Sequence, residues 1–301
     1  MCIRDSYEGV YLDKEFNNSD FGDEEKRTKK NDRIFNVDKA EEVISLCKDQ
    51  FGEISETSKE RKEYSSALYD LTTLQREANS RFGFTANSTL KIAQSLYQPI
   101  SGEGYITYPR TDSRRLPSDH VEEVRTLLNV FQETKHSKYS KYILDNELLN
   151  PSNKKIFDST KVSDHFAIIP TQNIPQSNKL NEQQVKIYEL ITKRFFAVFY
   201  PPAITMETTR DTIVEGHAFR TSGRILIDKG WKEVLDNPIQ DKLLNKIKLD
   251  EKAKVAKIDR IDKETKPKAR YTDATLLRGM ETAGADIEAV SYTHLTLPTK
   301  A

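Results

Sequence analysis

The sequence contains too few cysteines for the sites that cysteine-rich proteins depend on. Its two cysteines, Cys2 and Cys47, cannot form a disulfide framework or a zinc site by themselves. They suit a reducing compartment, and we expect a cytoplasmic protein. Long hydrophobic runs are also missing. The longest, FFAVFYPPAI, is interrupted by Pro201 and Pro202 and falls short of the roughly 20 apolar residues of a membrane span. We therefore expect no membrane partner.

A net charge of either sign is absent as well. The 301 residues contain 47 Lys and Arg and 47 Asp and Glu, which is unlike the basic composition of many nucleic-acid-binding proteins. The charges are unevenly spread, because residues 8–25 carry an excess of acids and residues 242–270 are rich in lysine. Such runs are usually solvated surfaces, so the lysine-rich stretch is only a weak indication of phosphate contact.

The two ends of the chain do not continue the patterns beside them. The stretches MCIRDS, residues 1–6, and VSYTHLTLPTKA, residues 290–301, resemble translated sequencing-adaptor read-through. We exclude both from the interpretation of the fold, as is done for tags and fusion scars. We also expect the natural protein to extend beyond both ends of this chain.

The remaining sequence predicts an α+β protein in which a helical domain is inserted into a β-rich arch. The predicted segments are a first part of the arch over residues 7–65, the helical domain over 66–200, a returning part of the arch over 201–265 and a further helical segment over 266–289. The first part begins with a strand in YEGVYLD and contains a helix over residues 37–50. In the returning part, AITMETTRDTIVEGHAFRTSGRILI alternates and predicts a hairpin that turns at Glu215 and Gly216.

The strongest helical periodicity lies in residues 68–97, where apolar side chains recur every three or four residues. We predict two helices here. The first has a capping box of Thr72 and Gln75 and ends at Gly83, and the second lies in TANSTLKIAQSLY. The elements predicted after them are a short strand in YIT, a helix with Ser118 as its N-cap, loops over residues 137–180 and a helix over residues 181–199.

The stretch GYITYPRTDSRRLP places Tyr108 on a turn between two elements, because Pro109 removes a backbone donor and ends regular pairing. Tyrosine is a poor nucleophile at its usual pKa of about 10, but a nearby cation that stabilises the phenolate makes it useful. In an extended stretch Arg110 would point to the same side as Tyr108 and could clamp the same phosphate. Asp112 could hold Arg110 or a neighbouring group.

The residues alone favour a plainer interpretation. The sequence has 13 tyrosines, and any one of them is far more often a packed side chain than a nucleophile. Arg110 and Asp112 would more often form a surface ion pair that contributes little. His165, in SDHFAIIPT, lies beside an apolar run, where a histidine is more often structural than catalytic.

Four blocks together carry more information than any one of them. In chain order they are LYDLTTLQREANSRFGFTANSTLKIAQSLY, YITYPRTDSRRLP, SDHFAIIPT and RYTDATLLRGMETAG. With this order and spacing, residues 7–289 resemble the type IA DNA topoisomerases, and within them the topoisomerase III branch. The resemblance implies that the protein is a bacterial isomerase.

The resemblance implies a specific chemistry. In this family the tyrosine of the ITYxRTDS block attacks a phosphodiester of single-stranded DNA and forms a 5′-phosphotyrosine link. Another strand passes through the gap, and the break is resealed without ATP. Tyr108 stands at the position of that tyrosine, and Arg110 matches the arginine that contacts the scissile phosphate. His165 matches the histidine of the HxAIxPT block, which contacts the DNA backbone near the site.

The resemblance also implies supporting residues. Thr111, Asp112 and Ser113 complete the tyrosine block, and Gln75 and Arg76 match a block that lines the path of single-stranded DNA. We also predict a supporting or DNA-binding role for three residues that precede the histidine, namely Lys161, Ser163 and Asp164. The segment over 266–289 would begin a further helical DNA-binding domain.

The family binds Mg²⁺ at an acidic site in an N-terminal Toprim domain, which we expect to lie outside this chain. The parent enzyme is expected to be a monomer. We expect this chain by itself to bind single-stranded DNA weakly and to cleave it poorly or not at all. The alternative is a non-catalytic module that binds single-stranded nucleic acid through Arg, Lys and Tyr side chains.

Overall fold

The computed structural model describes residues 6–14, 16–17, 30–99, 102, 104–176, 178–235, 241–245, 247, 251–264, 267 and 269–282. The described residues divide into two compact units, drawn from residues 1–63, 202–230 and 237–268 and from residues 64–201, 231–236 and 269–301. Helices and antiparallel strands both contribute, so the predicted α+β class is confirmed. Apart from Ser6, the predicted adaptor-derived ends lie outside the described residues.

The first unit is built on a five-stranded antiparallel sheet with the order β1-β4-β3-β2-β5. Its elements are β1 (Val10–Leu12), α1 (Val37–Cys47), β2 (Phe51–Glu63), β3 (Ala203–Val214), β4 (His217–Asp228) and β5 (Lys252–Lys254). Helix α1 buries Val43 and Cys47 against Val214, which forms the small core of this unit. The predicted helix is confirmed but ends at Cys47, because Lys48 is extended and Asp49 takes a positive φ of 59°.

The hairpin formed by β3 and β4 is confirmed, and Glu215 and Gly216 form its turn. Their φ angles are 47° and 80°, as expected for a two-residue hairpin loop that matches the twist of its strands. Periodicity does not predict β2, whose sequence FGEISETSKERKE is mostly exposed. This strand is held by pairing with β3 from Glu53 to Glu63.

The second unit is mainly helical. Its helices are α2 (Leu71–Phe82), α3 (Ala86–Tyr97), α4 (Val121–Phe131), α5 (Ser137–Asp145), α6 (Glu182–Ala197) and α7 (Asp273–Glu281). Helices α2, α3 and α6 lie where the periodicity predicts them. The prediction of loops throughout residues 137–180 is wrong at its start, because α5 buries Tyr139, Ser140 and Ile143 along one side.

Two predicted helix starts are wrong. Helix α2 is capped by Asp70, whose carboxylate accepts from the Thr73 N–H at 2.7 Å, so Thr72 and Gln75 do not form the capping box. Helix α4 has His120 at its N-cap, without a side-chain hydrogen bond. At α4 the Ser118 hydroxyl accepts from the Ser159 N–H at 3.3 Å, and the Ser118 N–H donates to Ser159 Oγ at 2.8 Å, so Ser118 is held by Ser159 and the N-cap lies two residues later than predicted.

The predicted end of α2 is confirmed. Gly83 closes α2 in the left-handed conformation with a φ of 69°, which glycine adopts without steric cost. Thr272 caps α7 and forms a capping box with Thr275.

Two buried hydrophobic clusters hold the second unit together. One is centred on Phe131, Phe195 and Phe196, and it packs α4, α5 and α6. The other joins α2, α3 and α6 to the loop after α3, through Tyr105 and Ile106. The second cluster therefore anchors the loop that carries Tyr108.

We expect Gly216→Ala to destabilise the first unit by about 1–2 kcal/mol, because a Cβ atom is strained at a φ of 80°. The substituent itself would meet nothing within 4 Å, so the cost comes from the backbone alone. Gly279→Ala in α7 is a control of opposite sign, since it also faces open space and alanine favours a helix by roughly 1 kcal/mol. Chemical denaturation measures both; a stabilised Gly216→Ala variant would contradict the turn.

We expect acid to weaken the contact between α6 and the start of α5. Glu189 Oε1 lies 2.6 Å from Lys135 Nζ and 3.2 Å from His136 Nε2. Burial acts to raise the pKa of Glu189, but these hydrogen bonds and charges outweigh it and lower the pKa to about 2. The carboxylate therefore stabilises the fold above pH 4.5, its usual value, and this contribution is lost as the pH falls towards 2.

Chemical denaturation between pH 7 and pH 3 measures this loss, which we expect to be on the order of 1–2 kcal/mol because Lys135 is largely exposed. Glu189→Gln should remove this part of the pH dependence. Glu122→Gln, at a 78% exposed side chain, is the control and should leave it in place. An unchanged pH profile for Glu189→Gln would refute the assignment.

Candidate active site

The loop that follows α3 is fixed to that helix at its start. The Tyr105 N–H donates to the Leu96 carbonyl at 2.8 Å. Gly104 crosses the end of α3 so closely that a Cβ atom would lie 2.2 Å from the Tyr97 carbonyl oxygen. Only glycine fits this crossing, so the chain leaves α3 with residues 105–110 lying back against the helix.

We expect Gly104→Ala to displace this loop. A backbone oxygen at 2.2 Å cannot rotate away, so the loop must shift and the overpacking should cost about 1–3 kcal/mol. Denaturation measures the loss of stability, and fluorescence of a labelled single-stranded oligonucleotide measures whether binding falls with it. Gly279→Ala, which meets nothing within 4 Å and has no positive φ, is the control for a methyl group added to a glycine of the same unit. Wild-type stability in Gly104→Ala would contradict the close crossing.

The short strand predicted in YIT is a single bridge. Ile106 bridges to Pro170, and the Thr107 N–H donates to the Ile169 carbonyl at 2.9 Å. Thr107 Oγ1 also donates to the Ala167 carbonyl at 2.9 Å. These bonds place the loop of Tyr108 beside the chain that carries His165.

Tyr108 lies between two other rings. Its ring centroid is 4.2 Å from that of His165, with 45° between the planes, and 5.3 Å from that of Tyr97 in an edge-to-face arrangement. The Tyr108 side chain is half-buried, and His165 is exposed. The structure therefore brings together Tyr108 and His165, which belong to separate blocks of the sequence.

Hydroxyl groups join the two blocks further along. Thr111 Oγ1 donates to the His165 carbonyl at 2.8 Å, and Ser113 Oγ donates to the Lys161 carbonyl at 2.8 Å. Both side chains are buried. Thr111 and Ser113 thus hold the backbone of the histidine block against the tyrosine block.

Asp112 and Ser163 form the third link. Ser163 Oγ donates to Asp112 Oδ1 at 3.1 Å, so Asp112 holds a neighbouring group rather than Arg110. Both side chains are exposed, as are those of Lys161 and Asp164.

Arg110 is exposed and contacts α3. With the Gln94 amide oxygen facing the guanidinium, Oε1 accepts hydrogen bonds from Arg110 Nε and Nη2, each at 3.0 Å. Gln94 and Tyr97 are three residues apart, so they lie on the same side of the helix. One touches Arg110 and the other touches Tyr108, although neither is predicted from the sequence. The signal that could have found them is their place in the first of the four blocks.

The structure places Gln75 and Arg76 in contacts between helices. Gln75 is buried, and its Nε2 donates to the Ala86 carbonyl at 3.0 Å. Arg76 Nη1 pairs with Glu281 Oε2 of α7 at 2.5 Å. The contacts of Gln75 and Arg76 are therefore with Ala86 and Glu281, and not with Tyr108.

The described residues do not fit a metal site. Within them, no group of three or more His, Cys, Asp or Glu side chains is placed to hold a metal ion. None of the helices in the described part of the chain is both long and apolar enough to cross a membrane.

Comparison with known proteins shows which family the chain is similar to. A family model described as DNA topoisomerase matches residues 7–293. The chain is 35% identical over 261 residues to DNA topoisomerase 3 of Bacillus cereus (strain ATCC 14579), which covers 83% of this chain and 35% of that protein. It is 34% identical over 265 residues to DNA topoisomerase 3 of Bacillus subtilis (strain 168), covering 85% of this chain and 36% of that protein.

A solved structure is similar as well. Full-length topoisomerase I from Thermotoga maritima matches with a TM-score of 0.61 and 28% identity, over 85% of this chain and 41% of that one. The chain spans about a third of the length of the curated relatives it matches.

Proposed function

The chain belongs to the type IA DNA topoisomerases, and on that premise we propose that Tyr108 breaks a DNA strand and holds its end covalently. The observation that carries the proposal is the contact of the Tyr108 ring with the His165 ring. Arg110, two residues after Tyr108, is exposed and contacts Gln94 on the same side of α3 that Tyr97 presents to Tyr108. The second unit thus offers a nucleophile, a cation and a histidine from adjoining segments. That set suits attack on a phosphodiester.

The proposed reaction exchanges one phosphodiester for another. Tyr108 Oη attacks phosphorus, the Oη–P bond forms and the P–O3′ bond breaks. The phenolic proton leaves to solvent, and the departing 3′ oxygen takes up a proton. The product is a 5′-phosphotyrosine and a free 3′-hydroxyl. Because the ester bond is conserved, the reverse step reseals the strand without ATP.

Arg110 and His165 supply the electrostatics of this step. Charge builds up on the phosphate oxygens in the transition state, and a fixed cation beside them lowers the barrier. Arg110 is the proposed phosphate contact, because a guanidinium binds phosphate with two parallel N–H groups. His165, whose ring packs against the Tyr108 ring at a 45° tilt, contacts the DNA backbone and keeps the phenol in place.

The family resemblance implies Mg²⁺, which would neutralise phosphate charge. The described residues do not fit such a site, so we propose that the ion binds outside them. The substrate is single-stranded DNA, and the parent enzyme is a cytoplasmic monomer that passes one strand through the break in another. Strand passage needs both broken ends held, one covalently by Tyr108.

The polarity of the covalent link tests the proposal. The chain is incubated with a single-stranded oligonucleotide labelled at either its 3′ or its 5′ end, with Mg²⁺ and with or without a Toprim domain from a related enzyme. We expect the denatured protein to keep the 3′ label and not the 5′ label, and to do so mainly when the Toprim domain is added. Binding without any covalent label would favour the non-catalytic module instead.

A further inference from the structure

We propose that Gln94 is a positioning residue for Arg110, which fixes the edge of the guanidinium that faces the scissile phosphate. The inference rests on the proposed role of Arg110 in phosphate contact. With its amide oxygen turned towards the guanidinium, Gln94 accepts from Arg110 Nε and Nη2, each at 3.0 Å. Two hydrogen bonds to one oxygen define the plane and the direction of the guanidinium.

Gln94 occupies one edge of the Arg110 guanidinium and leaves the other edge open to bind phosphate. A guanidinium has five N–H groups, and its Nε–H and one Nη2–H lie on the side that Gln94 occupies. The other Nη2–H and both Nη1–H groups point away from Gln94. Among the described residues, Gln94 is the hydrogen-bonding partner of this side chain. The open edge has the parallel pair of donors that binds two phosphate oxygens.

Helix α3 provides a rigid support for this contact. Gln94 is half-buried in the last turns of the helix, between Ala93 and Leu96, which are both fully buried. An exposed arginine would otherwise sample many rotamers and lose that freedom when DNA binds. Because Gln94 holds Arg110 beforehand, less freedom remains to be lost on binding.

The same helix turn holds the nucleophile. Tyr97, three residues after Gln94, contacts the Tyr108 ring edge-to-face at 5.3 Å. One helix, α3, therefore sets the distance between Tyr108 Oη and the Arg110 guanidinium. A glutamine at this place adds an acceptor for Arg110 without adding the negative charge that would repel phosphate.

The test separates orientation of Arg110 from packing of α3. Gln94→Met keeps the length and shape of the side chain but removes the amide oxygen, and Gln94→Glu keeps an acceptor. Gln98→Met, at an exposed position one turn later, is the matched control. Arginine Nε–H groups are observed by ¹⁵N NMR on the full chain, and the Arg110 signal is assigned by its loss in Arg110→Ala.

We expect slow exchange of the Arg110 Nε–H in the wild type, in Gln94→Glu and in Gln98→Met, and fast exchange in Gln94→Met. Affinity for a fluorescein-labelled single-stranded oligonucleotide should fall about fivefold to tenfold in Gln94→Met. In the Arg110→Ala background the same substitution should have no effect, because the group that Gln94 orients is missing. A packing role would give equal losses in both backgrounds.

Fast exchange of the Arg110 Nε–H in the wild type, or equal losses in both backgrounds, would overturn the positioning role. If the wild-type chain binds no oligonucleotide at low salt, the proposed function fails, and the inference that depends on it fails too. The NMR measurement distinguishes the two cases, because it reports the hydrogen bond without DNA.

Discussion

Tyr108→Phe is expected to lower the yield of covalent protein–DNA product by at least about 10³-fold when the Toprim domain is supplied. The substitution removes the attacking oxygen and nothing else. The ring contacts with His165 and Tyr97 involve ring atoms, which phenylalanine retains. We therefore expect oligonucleotide affinity and thermal stability to stay near the wild-type values while the covalent product disappears.

The matched control is Tyr105→Phe, three residues earlier in the same loop. Tyr105 is buried in the cluster beneath the loop and does not take part in the proposed chemistry. This variant should still form the covalent product. Denaturing electrophoresis of labelled complexes measures both variants. A product that survives in Tyr108→Phe and is lost in Tyr105→Phe would show that the nucleophile is Tyr105 and not Tyr108.

Arg110→Ala is expected to lower the rate of covalent attachment by about 10²–10³-fold, the usual effect of removing one donor that stabilises an oxyanion. Binding should weaken much less, because a bound strand contacts the protein through many phosphates. Arg110→Lys keeps the charge but loses the planar pair of donors, so we expect a rate between those of the wild type and alanine.

Single-turnover rates of product formation at saturating oligonucleotide distinguish chemistry from binding. Arg125→Ala, at a half-exposed arginine of α4 that pairs with Glu122, is the control for loss of one positive charge. It should leave the rate unchanged. Equal effects of the Arg110 and Arg125 variants would mean that the charge acts at long range, and Arg110 would then have no special contact with the phosphate.

Elements with a strong local signal could be predicted from the sequence. The hairpin of β3 and β4 was predictable because its alternating strands meet at Glu215 and Gly216, and the glycine accepts a positive φ without steric cost. Helices α2 and α3 were predictable because their apolar residues follow one face and Gly83 ends the first of them.

Elements held by distant partners could not be predicted. Strand β2 has exposed charged side chains and no alternation, and its conformation comes from pairing with β3. The start of α4 depends on Ser159, which binds the Ser118 backbone from another part of the chain. Such tertiary contacts override the local capping pattern.

The candidate site shows the same division. Spacing suggests that Tyr108 and Arg110 act together, but it does not bring His165 to the Tyr108 ring. The order of the blocks does so only through resemblance to a family. The contact of Gln94 with Arg110 depends on how the loop lies back on α3, which the crossing of Gly104 determines.

Identification of the DNA-linked residue tests the central claim most directly. The complex trapped with an oligonucleotide, Mg²⁺ and an added Toprim domain is digested with nuclease and protease, and the peptides are sequenced by mass spectrometry. The account predicts a nucleotide attached through its 5′ phosphate to Tyr108, in the peptide that contains YITYPR. A nucleotide on any other residue, or attachment through a 3′ phosphate, would contradict it.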